Sequence, residues 1–172
     1  EYQLKKKRSD LNYRLIRGNV DTRIKKLEDG EYDAIILSKA GIDALELNHK
    51  ISQEFSVEEL IPCAGQGIIA VQCRDSDEEM KNLLEKINDD ESRMIANTER
   101  EVLKILEGDC DTAIGVHATI DKQNINLMTE LFSVDGKDRY FIRKSENKKS
   151  IADLSKQVGE HLKIESKGSY KR

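Results

Sequence analysis

Cys110 stands in Leu106-Glu107-Gly108-Asp109-Cys110-Asp111-Thr112-Ala113-Ile114-Gly115, on a short glycine-containing loop between a periodic helix and an alternating strand. A thiol so placed is accessible and held by rigid elements on both sides, so it could capture an electrophile. The flanking Asp109 and Asp111 disfavour a thiolate, which argues against a protease-like nucleophile. A thiol that reacts once with a strong electrophile and stays bonded is compatible with them. Taken alone, a packing cysteine is the plainer reading.

A second candidate is Arg17-Gly18-Asn19-Val20-Asp21-Thr22-Arg23, where a strand ends and a helix begins. Backbone N–H groups and the positive helix end converge there, and Gly18 lets a ligand approach the backbone. Arg17 and Arg23 add forked donors suited to carboxylates. A plain helix cap with two solvated arginines is equally open at this point. Ala64-Gly65-Gln66-Gly67 suits either a crossover lining a cleft or a simple tight turn, and no Gly-Lys-Ser/Thr follows to make it a phosphate loop.

The elements that must position these residues can be read from periodicity. Residues 11–16 are expected as a strand, 20–29 as a helix ended by Gly30, and 32–38 as an apolar strand covered on both faces. A helix over 40–47 and a loop with a helical turn over 48–60 complete a strand–helix–strand–helix order, which implies a parallel sheet. Ile61-Pro62 reads as a hinge, 68–73 as a further strand and 77–87 as a helix. Asp89 or Asp90 can cap a helix running to Leu106, with Ile95, Thr98, Val102 and Leu106 on one stripe. Strands over 113–120, 125–134 and 138–144 form an antiparallel meander. A final helix starts near Ser150, and residues 166–172 are expected to fray.

Composition narrows the function classes. The 172 residues carry a net charge of −4, so nothing draws the chain as a whole to nucleic acid or an anionic membrane. The run Lys5-Lys6-Lys7-Arg8 has no aromatic platform beside it and reads as a solvated helix face. No apolar stretch reaches membrane-spanning length and no signal peptide is visible. Cys63, Cys73 and Cys110 are too few and too widely spaced for a disulfide framework or zinc site, which suits a reducing cytoplasm. Cys63 and Cys73 read as packing residues, and His49, His117 and His161 lack ligand spacing. The start at Glu1, already mid-helix and without methionine, reads as a fragment lacking an N-terminal part.

Taken in order, four segments resemble the hydroxymethylbilane synthase (porphobilinogen deaminase) family. They are Arg17 to Arg23; Gly30 to Leu37 with Ala40-Gly41; Ile61 to Gly67 with Cys73-Arg74; and Glu99-Arg100 followed by Leu106 to Cys110. The resemblance implies an α/β plus α+β protein: a partial type II periplasmic-binding-protein-like domain, then a small domain with a three-stranded antiparallel sheet and helices. Residues 1–62 would be most of domain two, 63–88 the segment returning to domain one, and 89–172 the C-terminal domain.

The resemblance further implies a transferase that condenses four porphobilinogen molecules into a linear tetrapyrrole with loss of ammonia. Dipyrromethane, held by a thioether to Cys110, would be the primer. Arg17, Gly18, Arg23, Ser38 and Gln66 would join Cys110 in holding it, with no metal. The catalytic aspartate and a Ser-x-Arg-Arg segment would precede Glu1, so this chain alone is expected to be inactive. A cytoplasmic monomer, bound to neither nucleic acid nor membrane, is implied. The sequence departs from the family at Ala44, where an arginine is expected, at Asp109 in place of glycine, and at Asp111-Thr112-Ala113-Ile114 in place of Gln-x-Pro-Ile. A non-enzymatic ligand-binding module and an inactive remnant are the alternatives.

Overall fold

The computed structural model describes residues 1–109 and 111–171, in two compact units: Gln3–Ser56 with Glu1, and Val57–Arg172 with Tyr2. The first contains α1 (Tyr2–Lys7) apart from Tyr2, together with α2 (Val20–Glu28) and α3 (Lys39–Ala44). Asn19 caps α2 by accepting from the Thr22 N–H at 3.0 Å. Gly30, at φ +79°, ends it as expected, with the Gly30 and Glu31 amides donating to Leu27 and Lys26. Ile24 and Ile42 are the buried apolar side chains of this unit.

The strands expected over 11–16, 32–38 and 68–73 are a correction: the described residues there enter no ladder. A strand is stable only where a neighbour pairs its backbone groups and a layer covers its side chains. Here Leu15 is 75% exposed and Ile69 92%, so neither requirement is met.

The second unit has both. Its helix α4 (Glu78–Glu85) is capped by Asp77. Helix α5 (Asp90–Leu106) is capped by Asp89, with Asp90 and Glu91 favourably placed in the first turn. Strands β1 (Ile114–Asp121), β2 (Asn124–Phe132) and β3 (Arg139–Asn147) form an antiparallel meander in the order β1-β2-β3, followed by α6 (Ile151–Ser166). Ile114, Val116 and Ala118 pair with Leu131, Thr129 and Leu127, placing an apolar face against α5 and α6. Gly159 of α6 lets the helices meet closely, because a Cβ there would lie 2.9 Å from Cβ of Ile105.

Two expectations for this unit change. Ile61-Pro62 is seated rather than free: Ile61 is buried, and the Pro62 carbonyl accepts from the Val116 N–H at 2.8 Å. The C-terminal tail is docked rather than frayed through Lys171. Tyr170 is buried, its hydroxyl donates to the Leu106 carbonyl at 2.9 Å, and the Val134 amide donates to Ser169. Local sequence missed this because the partners lie far away in the chain.

Lys171 and Lys163 both pair with Glu107, just past the end of α5. These two ammonium groups, Lys171 above all, hold the Glu107 carboxyl down to about 2 from the ordinary 4.5. A depressed carboxylate contributes stability that is complete above its unfolded pKa and lost as pH falls through the folded value. Wild type and Glu107→Gln should therefore differ most in urea-unfolding stability above pH 4.5 and converge as pH drops towards about 2. A gap that stays constant over that window would refute the pairing.

Candidate functional site

In the first unit residues 17–23 form a turn leading into α2, without the strand that was expected to end there. Gly18 sits at φ +122°, and a Cβ there would come 2.9 Å from Cγ2 of Thr22, so a side chain is disfavoured by both conformation and space. The Thr22 hydroxyl donates to Asn19 at 2.6 Å, and Arg23 Nε donates to the Gly18 carbonyl at 2.7 Å. That bond lays the half-buried Arg23 back over the turn. Arg17 is exposed, and among the described residues no hydrogen bond engages its guanidinium. The corner thus offers one guanidinium pinned by its own turn and one open to solvent, an arrangement that can receive carboxylates bidentately.

Ser38 is the exposed N-cap residue of α3, and its carbonyl accepts from Gly41 and Ile42 while its hydroxyl makes no capping bond. Ala44 ends that helix and is exposed.

In the second unit, Cys63 to Gly67 form a tight turn. The Gln66 amide donates to the Cys63 carbonyl at 3.1 Å, and Gly65 at φ +74° supplies the positive φ that a type II turn needs at its third position. Gln66 is exposed at its tip. Cys63 is exposed and Cys73 half-buried, so Cys63 is not the packing residue expected.

Cys110 lies outside the described residues, but the segments beside it are ordered by hydrogen bonds. Glu107 ends α5 at φ 53°, and the Gly108 amide donates to Leu103. Oδ1 of Asp109 accepts from the Asp111 amide at 2.9 Å, the Thr112 amide at 3.1 Å and the Thr112 hydroxyl at 3.2 Å. Those donors, the Asp111 amide first, lower the Asp109 carboxyl below its usual range. Asp109 therefore organises its own turn, which a glycine could not do.

Glu99 was not singled out from sequence as a site residue. It is 3% exposed, with its two oxygens accepting from the Gly65 and Ala118 amides. The available signal was its place on the apolar stripe Ile95–Val102–Leu106, where a carboxylate must be buried and needs donors. Among the described residues no group of His, Cys, Asp and Glu is arranged to hold a metal, and no helix is long and apolar enough to cross a membrane.

A family model described as porphobilinogen deaminase, dipyromethane cofactor binding domain, matches residues 1–82, and one described as porphobilinogen deaminase, C-terminal domain, matches 94–164. The chain belongs to the porphobilinogen deaminase family. It is 40% identical over 171 residues to the porphobilinogen deaminase of Francisella tularensis subsp. novicida (strain U112), covering 98% of this chain and 55% of that protein. The porphobilinogen deaminase of Francisella tularensis subsp. tularensis (strain WY96-3418) is 39% identical over the same length and coverage. The chain spans about half the length of the curated relatives it matches.

Proposed function

We propose that these residues form part of a hydroxymethylbilane synthase. It would condense four porphobilinogen molecules head to tail, releasing ammonia at each step, and then hydrolyse off the linear tetrapyrrole. The observation that carries this is the 40% identity to a named porphobilinogen deaminase over 98% of the chain. The arginine corner supports it, because porphobilinogen carries acetate and propionate groups and a growing chain multiplies them.

The residues present fit a dipyrromethane group. Its acids match the open Arg17 guanidinium and the terminal groups of Arg23, Gly18 leaves the backbone approachable, and Ser38 and Gln66 stand exposed as polar contacts. Cys110 is the proposed thioether anchor. When bound, the group supplies the starter end to which pyrrole units are added. The chain's own residues bind and orient: guanidinium groups offset the repulsion between carboxylates, and fixed turns limit the conformations the substrate must lose. The aspartate assisting the pyrrole nitrogens is proposed to lie outside these 172 residues.

The unpaired segments 11–16, 32–38 and 68–73, with their exposed apolar residues, support a type II periplasmic-binding-protein-like arrangement in which longer sequence supplies the ladder. Residues 1–62 would belong to domain two, 63–88 to the return into domain one and 89–172 to the C-terminal domain. A cytoplasmic monomer acting on a small-molecule substrate is proposed.

Intact mass tests the reading. The protein carrying these residues, purified from haem-producing cells, should show a dipyrromethane-sized increment that vanishes in Cys110→Ser. An unmodified mass in both would refute it.

A further inference from the structure

Helix α5 commits a charged side chain to its apolar face. Glu99 is 3% exposed, and neither of its oxygens is spent on a partner side chain in ideal ion-pair geometry; Nδ1 of His117 stands 3.7 Å from Oε1. Both close bonds go to backbone instead. Oε2 accepts from Gly65 at 2.6 Å and Oε1 from Ala118 at 2.8 Å. Bonds from neutral amides to a buried carboxylate are charge-assisted, and leaving such a carboxylate without donors is costly.

The two amides belong to different elements. Ala118 lies on β1, an edge strand of the sheet, whose outer edge also donates from Val116 to the Pro62 carbonyl. Gly65 lies in the turn that presents Gln66. Segment 61–65 is thus seated along the β1 edge at one end by a backbone bond and at the other by Glu99. Gly115 completes the seat, since its missing side chain leaves room for Ile61.

We propose that Glu99 is a positioning residue: its carboxylate latches the Gly65 turn to the β1 edge and thereby sets where Gln66 is presented to the substrate. The latch is a statement about the second unit alone. Its link to Gln66 rests on the proposed synthase reading.

Amide hydrogen exchange on the chain tests the latch. In the wild type, Gly65 should exchange at least about a hundredfold slower than an open turn amide. In Glu99→Gln one oxygen acceptor becomes an amino group facing an N–H donor. Gly65 should then exchange at least about tenfold faster, while Leu127 in β2 stays within about twofold. An unprotected Gly65 in the wild type overturns the latch whether or not the variant folds. Unchanged Gly65 exchange in Glu99→Gln also overturns it, as does a uniform rise across β2, which would make Glu99 a stability residue only.

Porphobilinogen kinetics on the protein carrying these residues test the link. Glu99→Gln should raise KM about three- to tenfold with kcat retained, and add nothing in a Gln66→Ala background. Additive effects overturn the link. Absence of turnover in the wild type would sink the synthase reading, while the exchange result on the latch would still stand.

Discussion

Tyr170→Ala should lower the unfolding free energy by about 3–5 kcal/mol, the range for deleting a large buried aromatic side chain. The ring is 5% exposed and belongs to the same core as Leu106, Leu131 and Leu162. Tyr170→Phe keeps the ring and loses only the hydroxyl bond to the Leu106 carbonyl, so it should cost about 1 kcal/mol. Urea unfolding of both variants separates the two contributions. A Tyr170→Ala loss below about 1 kcal/mol would mean that the tail is not docked in solution. The effect bears on function through position, because Leu106 and Glu107 end α5 shortly before the proposed anchor in sequence, and the tail holds both.

The second large effect is expected at Gly115, and its cause is steric. A Cβ there would lie 2.7 Å from the Ile61 carbonyl oxygen and 2.9 Å from Cβ of Ile61, so backbone must move to admit even alanine. Overpacking of this kind costs about 1–3 kcal/mol. Gly115→Ala should therefore weaken the protein in urea and shift the amide resonances of residues 61–65 more than those of β3. Shifts spread evenly over the sheet would contradict a local clash. Gly65 makes a useful contrast: a Cβ there meets nothing within 4 Å, but its φ is +74°. Gly65→Ala should cost about 1–2 kcal/mol from backbone conformation alone.

Local turns were legible wherever their bonds run between contiguous residues. Arg17 to Arg23 could be read as a turn into a helix because a glycine, a capping asparagine and two arginines occur within seven positions, and the turn is closed by bonds among themselves. The role of Asp109 was not legible. From sequence it was a carboxylate beside a thiol and a departure from a glycine; the structure shows that carboxylate accepting from the Asp111 and Thr112 amides. Glu99 escaped for a different reason: its partners, Gly65 and Ala118, are 34 and 19 residues away.

The same division runs through the fold. Asp89, Asp90 and the stripe Ile95–Val102–Leu106 determined α5 by themselves, because a cap bonds within three residues and a helical face repeats every three or four. The alternation Ile114–Val116–Ala118–Ile120 likewise determined β1 and which of its faces is buried. Whether Leu15, Ile36 and Ile69 would stand in strands could not be decided so, since their alternating or apolar runs state a preference that only a neighbouring strand can satisfy. Tertiary structure also decided that Tyr170 is core and Pro62 is seated. Both depend on contacts that cost loop entropy to form, and no local pattern records whether distant partners repay it.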